Sequence, residues 1–304
     1  MRPASVTIIG PGRLGQAIGR LLAGAGVRVS LVLARRLRAA QRAVKFIGTG
    51  VPEEMTEGGT LPSPVILLTT SDSGLEPLAR ELAARCPECG TIHAGSSSAD
   101  SSVFRGRRPW SGKVVLHTCG SLSSEVLAPL RQQGAAVGSL HPFQTVPSPE
   151  AGVRNLRGCY WGIEGDEAAL RVARRWVKLL GGQAFLVRPD RKILYHAAAF
   201  LVCPTVVTLM ERSARLLQES GVPERISRPM LAAFVAETAG NFSALGPRQS
   251  LTGPVARGDW QTVKRHLAAL RRLAPEVVPV YTELVRDMLR LAGRRAPPGV
   301  LGRG

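Results

Sequence analysis

Apolar and polar positions in the first two thirds of the chain follow a pattern typical of strands that alternate with helices. Short apolar runs bounded by turn residues predict seven strands, and apolar residues spaced three or four apart predict helices between several of them. This rhythm predicts an α/β fold with a mainly parallel sheet and helices on both faces. The predicted strands are Val6–Ile9, Val29–Leu33, Val65–Thr69, Val114–His117, Val137–Leu140, Trp161–Ile163 and Ala184–Val187.

Strand signals end near residue 187, and only the helical period continues after it. Arg191–Ser220 predicts one long helix with a kink or break at Pro204, because proline lacks the backbone donor and clashes with the preceding turn. Three more helices are predicted at Ile226–Phe242, Trp260–Leu273 and Pro275–Leu291. The second part of the chain is therefore predicted to be an all-helical domain.

Two segments lack either period. Cys86–Lys113 is rich in Ser, Gly and Arg and predicts a long loop or insertion. Its Cys86-Pro87-Glu88-Cys89 spacing is half of a zinc knuckle, but a structural zinc site needs four ligands and no second pair follows, so no metal site is predicted. The tail, rich in Arg, Gly and Pro, predicts disorder. The predicted domains are an α/β domain at 1–187, a helical domain at 188–292 and a disordered tail at 293–304.

A glycine-rich turn directly follows the first predicted strand, and a helical pattern starts inside it. In a Rossmann dinucleotide-binding turn, the first glycine permits the tight turn, the second lets the backbone approach the pyrophosphate, and the third lets helix and strand pack closely. The helix N-terminus then offers free N–H groups to the phosphates. A glycine-rich turn without a ligand is the alternative. The predicted cofactor contacts are Gly10, Gly12, Arg13, Leu14 and Gly15.

The end of the second strand selects between the two nicotinamide cofactors. NAD sites place Asp or Glu about 20 residues beyond the turn, where it binds the ribose hydroxyls. This chain has Arg35 and Arg36 there instead. Guanidinium groups can hold a 2′-phosphate, which favours NADP(H); alternatively, these are two more surface arginines. Thr69 and Thr70 are predicted as a further wall of the cofactor site, and Asp72 as the N-cap of the next helix.

Four side chains are candidates for proton transfer. His117 and His141 lie at predicted carboxyl ends of strands, where a histidine could donate or accept the proton that accompanies hydride transfer. Structural histidines are the alternative. Lys192 and His196 are four residues apart and share one face of a predicted helix. The lysine could polarise a carbonyl or protonate an alkoxide, or it could be a solvated lysine beside a buried histidine.

Two further residues are predicted to contact substrate. Ser121 lies in the segment that His117 opens, and Arg257 lies in a turn-rich loop between two predicted helices. A guanidinium there could bind a substrate carboxylate. Asp259, in the same loop, is predicted to cap the helix that starts at Trp260.

The net charge of +18 does not by itself indicate a nucleic-acid partner. Of the 40 basic residues only five are lysine; the arginines are scattered, and aromatic residues make up 5% of the chain. Nucleic-acid binders concentrate basic and aromatic residues on one face, so no nucleic-acid role is predicted, although the charge could attract an anionic cofactor or substrate.

Features of targeting and membrane proteins are not evident in the sequence. No apolar run reaches the ~20 residues that span a bilayer, so no membrane association is predicted. The N-terminus has no signal-peptide pattern. The five cysteines include no obvious disulfide framework. A cytoplasmic location is expected.

Five segments together carry a resemblance to a known family. They are residues 10–15, 117–121, 138–144, 192–199 and 251–259. Members of this poorly characterised family join an N-terminal Rossmann-like NADP-binding domain to a C-terminal helical domain of unknown function. The family is similar in architecture to pyrroline-carboxylate reductases, ketopantoate reductases, prephenate dehydrogenases and 6-phosphogluconate-type dehydrogenases. This resemblance implies a helical domain that closes the active site and often builds a dimer.

The resemblance also implies roles for single residues. A His-Pro pair of prephenate dehydrogenases matches His141-Pro142, which implies a substrate or catalytic contact for His141. Lys192 resembles a lysine that assists catalysis in ketopantoate and hydroxyacid enzymes. The family pattern continues to a Ser-Asn pair where this chain has Cys203-Pro204, which puts the substrate contact of that asparagine in question.

Two functional hypotheses follow. The leading one is an NADP(H)-dependent oxidoreductase that acts as a homodimer on a small, anionic carbonyl, imine or hydroxyacid substrate. The alternative is a non-catalytic NADP(H)-binding sensor or scaffold, which the Pro204 substitution and the arginine excess motivate.

Overall fold

The computed structural model describes residues 5–56, 59–86, 90–91 and 108–301 of the chain. The chain divides into two units, residues 1–201 and residues 202–304. The sequence placed this boundary earlier, at residue 188. The difference arises because the helix that begins at Lys192 packs on the sheet of the first unit, through an ion pair between Lys192 and Glu164.

The first unit is built on an eight-stranded sheet. The strands of this sheet are β1 (Val6–Ile9), β2 (Val29–Ala34), β3 (Val51–Glu54), β4 (Val65–Leu68), β7 (Val114–His117), β8 (Ala136–Pro142), β9 (Tyr160–Gly165) and β10 (Gln183–Leu186). Between β4 and β7 in the chain, β5 (Arg85–Cys86) and β6 (Gly90–Thr91) form a separate antiparallel pair. The strand order is β10-β9-β8-β7-β4-β1-β2-β3. All neighbours are parallel except β8 and β9. The predicted mainly parallel α/β fold is confirmed.

Strand β3 was not predicted, because its sequence lacks the apolar pattern of the other strands. It reads Val-Pro-Glu-Glu and is mostly exposed at the sheet edge, where Val51 pairs with Leu31 of β2. Polar and proline residues are common on edge strands, which need no buried face. Apolar periodicity therefore gives no signal for it.

Helices cover both faces of this sheet. They are α1 (Arg13–Gly24), α2 (Leu37–Ile47), α3 (Asp72–Ala83), α4 (Ala128–Gln132), α5 (Pro149–Asn155), α6 (Glu167–Leu179) and α7 (Lys192–Val202), with single 3₁₀ turns at Ser124–Leu127 and Pro189–Arg191. One core contains Ile8 and Trp161, and the core on the opposite face contains Ile9 and Trp110. Successive residues of a strand point to opposite faces, so both sides of a central strand such as β1 are buried.

The second unit is helical. Its helices are α8 (Pro204–Glu219), α9 (Glu224–Ser250), α10 (Pro254–Arg257), α11 (Trp260–Leu273) and α12 (Val278–Ala292), with a 3₁₀ turn at Pro275–Val277. The predicted break before Pro204 is present, since α7 ends at Val202 and α8 begins at Pro204. Residues 293–301, expected to be disordered, contain turns, and Val300 packs at 4% exposure against Val255 and Val285.

One described stretch, Pro189–Glu219, is long and apolar enough to cross a bilayer by length and composition, with a mean hydropathy of 1.9 over its best window. The sequence expectation had been that no run is long enough. The stretch is interrupted at Cys203, between α7 and α8, and none of the window is buried. Length and composition alone are weak grounds for a membrane span.

Candidate functional site

A cleft of about 440 Å³ opens at the carboxyl ends of the central strands of the first unit. Ligands of open α/β sheets bind at this edge. The glycine-rich turn, the segments after β4 and β7, the end of β8 and helix α7 all contribute. The lining residues are Gly12, Arg13, Leu14, Thr69, Thr70, Ser71, Asp72, Thr118, Cys119, Gly120, His141, Pro142, Gln144, Val146 and His196.

The glycine-rich turn packs against the end of β4 at two points where no side chain fits. A Cβ on Gly15 would lie 2.2 Å from Thr69 Oγ1, and a Cβ on Gly10 would lie 2.5 Å from Thr70 Cγ2. Gly10 also has φ of +77°, which other residues rarely adopt. Above Gly12, by contrast, the nearest atom to a Cβ would be 3.9 Å away. The turn is therefore tight on its protein side and open on its cleft side.

The N-terminus of α1 is suited to bind an anion. Gly12 occupies the N-cap position, no side chain caps it, and the first turn contains no acidic residue. The first N–H groups of a helix are free for a ligand when no side chain accepts from them. Thr70 Oγ1 is buried beside this turn and has no hydrogen-bond partner among the described residues. The uncapped helix end, the open space over Gly12 and this hydroxyl fit the phosphates of a dinucleotide.

The two arginines predicted to select NADP(H) lie beside this turn. Gly10 N donates to Leu33 O at 2.9 Å, which holds the turn against the end of β2. Arg35 and Arg36 follow directly and are exposed. In the described part of the chain neither forms an ion pair, so both guanidinium groups are available to an anion. They do not belong to the lining of the cleft itself.

His141 and Tyr195 form a hydrogen-bonded pair at the other end of the cleft. Nδ1 of His141 lies 2.8 Å from Tyr195 Oη, with the rings nearly perpendicular. Burial, assisted by the charges of Lys192 and His196 and opposed by Asp72, lowers the pKa of His141 to about 4. Burial also raises the pKa of the Tyr195 phenol. Both groups are therefore uncharged near neutral pH, and Nε2 of His141 remains for the cleft.

Because Gly120 has no side chain, the imidazole of His141 can pack directly against its backbone. A Cβ on Gly120 would lie 2.6 Å from His141 Nε2 and 2.6 Å from His196 Cδ2. The rings of His141 and His196 are 6.1 Å apart between centroids. His196 is half-buried and lines the same cleft. Tyr195 was not a candidate in the sequence, because a tyrosine that bonds to a histidine 54 residues away leaves no local sequence pattern.

Asp72 and Ser121 interact across the cleft wall. Ser71, not Asp72, is the N-cap residue of α3, so that prediction for Asp72 was wrong by one position. The Asp72 carboxylate instead accepts a hydrogen bond from Ser121 Oγ at 2.6 Å. Burial raises the pKa of Asp72, but hydrogen bonds from Ser121 and Cys119 and the nearby histidines lower it on balance. Ser121, predicted to bind substrate, orients this carboxylate and does not line the cleft.

His117 lies beneath the cleft and not in it. Its side chain is 0% exposed, and Nδ1 accepts a hydrogen bond from Cys119 N at 3.2 Å. Burial and the charge of Lys192 lower the pKa of His117 well below its ordinary value. A neutral, enclosed imidazole that accepts from the backbone shapes the turn after β7. The structure does not bring His117 to the substrate side.

Lys192 is also enclosed. Its residue exposure is 1%, and Nζ donates to Ser139 Oγ and to Glu164 Oε1, the latter at 3.0 Å. Glu164 in turn accepts from the backbone N–H and the hydroxyl of Ser124 at 2.8 and 2.7 Å. The expected contact of Lys192 with a ligand is absent from the described cleft. Sequence reasoning missed Glu164, although a carboxylate inside an apolar strand indicates a buried partner.

The remaining predicted residues lie elsewhere. Arg257 is exposed at the end of α10 in the second unit. The predicted cap by Asp259 is confirmed, since its carboxylate accepts from Thr262 N at 3.1 Å. The half zinc knuckle at 86–89 lies largely outside the described residues, and within the described ranges no group of His, Cys, Asp and Glu side chains could hold a metal ion.

Comparison with known proteins supports the fold and the second domain. Residues 159–288 match DUF2520, a domain of unknown function. No curated protein matches the chain. The DUF2520 match runs from β9 of the sheet into α12, so it includes most of the helical unit, and it agrees with the C-terminal domain of unknown function that the resemblance in the sequence implied.

Three solved structures illustrate the likeness of the fold. A Bacteroides fragilis protein provisionally named an NADP oxidoreductase is 19% identical, with a TM-score of 0.71 over 95% of this chain and 99% of its own. A pyrroline-5-carboxylate reductase from Coxiella burnetii is 14% identical, with a TM-score of 0.58 over 99% and 100%. An imine reductase from Myxococcus stipitatus, in complex with NADP⁺, is 14% identical, with a TM-score of 0.58 over 98% of both chains. The chain is thus distantly similar in structure to NADP-dependent oxidoreductases.

The contact between Gly15 and Thr69 can be tested by substitution. Gly15→Ala should lower the free energy of unfolding by about 1–3 kcal/mol, because the added methyl group overlaps Thr69 Oγ1. Adding Thr69→Ala should restore part of this loss. Gly24→Ala is the matched control in the same helix, since its Cβ would meet nothing within 4 Å. Chemical denaturation of the four proteins measures the effect, and equal losses for Gly15→Ala and Gly24→Ala would contradict it.

Proposed function

We propose that this chain is an NADP(H)-dependent oxidoreductase that acts on a small carbonyl, imine or hydroxyacid substrate. The observation that carries the proposal is that one cleft is lined both by the uncapped helix end at Gly12 and by the uncharged imidazole of His141. A dinucleotide phosphate and a proton-transferring side chain would thus share a single cavity. The structural likeness to NADP-dependent oxidoreductases agrees with this proposal.

The glycine-rich turn and the end of β2 would hold the cofactor. The N–H groups of Arg13 and Leu14 at the start of α1 would bind the pyrophosphate. Arg35 and Arg36 would bind the 2′-phosphate, for which their fork of donors is suited. Thr70 would supply the hydroxyl that lacks a partner. NADP(H), when bound, supplies or accepts the hydride.

His141 would interact with the substrate atom that gains or loses a proton. If Tyr195 Oη donates to Nδ1, the neutral imidazole carries its hydrogen on Nε2, next to Gly120 and the cleft. Such a hydrogen can stabilise charge that develops on a carbonyl oxygen or an imine nitrogen. His196 would lie alongside.

The cofactor assignment predicts a selective loss of affinity. Arg35→Ala combined with Arg36→Ala should weaken NADPH binding by roughly tenfold or more, because charge-assisted bonds to the 2′-phosphate contribute about 1.5–3 kcal/mol. NADH binding should change little. Arg271→Ala with Arg272→Ala removes an equal charge from α11 and serves as the control. Calorimetric titration measures the six affinities of the three proteins for the two cofactors; equal binding of NADPH and NADH by the folded wild type would contradict the assignment.

The role of His141 predicts a loss of turnover without a loss of cofactor. His141→Asn should lower kcat by about 10²–10⁴-fold, the usual contribution of a general acid or base, with NADPH affinity unchanged. His266→Asn is a matched control, because His266 Nδ1 lies 2.9 Å from Tyr281 Oη in a second histidine–tyrosine pair of the other unit. Small carbonyl, imine and hydroxyacid compounds are screened at the NADPH absorbance band. Full activity of His141→Asn would refute its role, and NADPH binding without any turnover would favour the sensor alternative.

We also propose that the protein is a homodimer. Helix α9 exposes Phe234 at 71%, Phe242 at 59% and Leu245 at 50%, all on one side of the helix. Soluble monomers rarely expose contiguous apolar surface on this scale, and self-association with twofold symmetry is the commonest way to cover it. The occupant proposed is therefore a second copy of the chain.

Charges placed on this surface should separate the copies. Phe234→Glu combined with Phe242→Glu should convert a dimer to a monomer in sedimentation experiments, because burying two unpaired carboxylates in an interface strongly destabilises it. Leu273→Glu is the control, since Leu273 is also exposed at 59% but lies on α11. A wild-type protein that sediments as a monomer at micromolar concentration would contradict the proposal.

A further inference from the structure

We propose that Lys192 is a positioning residue: its buried polar network ties together the segments that place the hydrogen-bonded pair of His141 and Tyr195 at the cleft. This inference rests on the proposed function of the cleft. It differs from the role that the sequence suggested, in which the ammonium of Lys192 contacts substrate. The enclosed position of Lys192 directs the inference, since a side chain with 1% exposure outside the lining does not reach a ligand.

The ion pair forms the centre of a closed polar network. Lys192, the first residue of α7, donates to Ser139 of β8 and to Glu164 of β9. Glu164 accepts two hydrogen bonds from Ser124, which follows β7. Lys192 and Glu164 both have side chains that are 2% exposed. Four side chains from four segments are thus fixed to one another under the cleft.

Three of these four segments, β8, α7 and the stretch after β7, carry a residue of the cleft. Ser139 and His141 are two apart in β8, so their side chains point to the same face of the sheet. Tyr195 lies three residues and His196 four residues after Lys192, on the same side of α7. A shift of Lys192 would therefore move both partners of the hydrogen bond between His141 and Tyr195.

The segment after β7 is tied to the network in the same way. Ser124 holds it at Glu164, and Gly120, four residues earlier, provides the space against which His141 Nε2 lies. Cys119 N bonds to His117 within the same segment. The polar network thus sets the distance between the two walls of the cleft.

Charge adds a second effect to this geometry. The groups that act on His141 are Asp72 from α3, His117 from β7, and Lys192, Tyr195 and His196 from α7. Burial is the largest cause of the low pKa of His141, and the ammonium of Lys192 is the next. Like charges repel strongly where water is excluded, so this ammonium opposes protonation of His141.

The test replaces the pair together. Removing one partner would leave an unpaired buried charge, which strongly destabilises a protein, whereas a neutral pair avoids this. In Lys192→Met combined with Glu164→Gln, the NMR-detected pKa of His141 should rise by about one unit. The wild-type and variant resonances are assigned with His141→Asn. NADPH affinity should stay within about twofold, since the glycine-rich turn is untouched.

Arg131→Met combined with Asp166→Asn is the control. This ion pair, 3.2 Å between Nε and Oδ2, lies in the same unit and is not among the groups that act on His141. Its removal should leave the His141 titration unchanged. Lys192→Arg keeps the charge but alters the geometry: His141 should keep its low pKa, and kcat should fall while KM for NADPH does not change. Lys192→Arg also provides the decisive measurement if the double variant does not fold.

Two results would overturn the inference. One is a His141 titration that stays at its wild-type position in the folded Lys192→Met/Glu164→Gln protein, or that shifts to ordinary values in Lys192→Arg. The other is a kcat of Lys192→Arg that equals the wild-type value, because the geometry of the buried pair would then not matter to the reaction. The titration needs no turnover, so a wild type without activity would refute the proposed function and leave this inference intact.

Discussion

The buried ion pair between Lys192 and Glu164 is the interaction on which the geometry of the cleft depends. An ammonium and a carboxylate without water are tolerated only when each is paired and hydrogen-bonded, so Ser139 and Ser124 are as necessary as the charges themselves. Because Lys192 is the first residue of α7, the ion pair with Glu164 holds the start of α7 against the sheet. The ion pair therefore positions Tyr195 of α7 next to His141 of β8, in addition to the hydrogen bond between these two side chains.

At the other end of the cleft, the glycine-rich turn packs closely on the end of β4 because its glycines have no side chains. Gly10 and Gly15 allow the turn to lie directly on Thr69 and Thr70, whereas Gly12 leaves the opposite side open. Thr69 Oγ1 donates to Gly10 O at 2.7 Å, so the same contact that excludes a Cβ also fastens the turn. One end of the cleft is thus built from backbone and suited to an anion, and the other contains the uncharged pair of His141 and Tyr195. This polarity agrees with a dinucleotide that spans the cleft.

The sequence predicted the parts of the molecule that local patterns determine. Central strands such as β4 are continuous apolar runs because both of their faces are buried, and the glycine-rich turn has a fixed spacing. Helix α2 was not among the sequence predictions, although its buried positions Ala40, Ala43 and Ile47 recur three and four residues apart. Lys192 was placed on the correct helix, but its burial depends on Glu164, 28 residues earlier in an antiparallel strand. Such pairings belong to the tertiary structure.

The Cys203-Pro204 pair has a different meaning in the structure than in the sequence. As a departure from the family's Ser-Asn pattern, it suggested the loss of a substrate contact. The structure places it between α7 and α8, next to the division of the chain into its two units. A proline at the first position of a helix is favourable, because its missing N–H would have no partner there. In the described cleft, α7 contributes His196 to the lining, seven residues before Cys203. The substitution therefore changes how one helix ends and the next begins, and it leaves the wall formed by His141, Tyr195 and His196 complete.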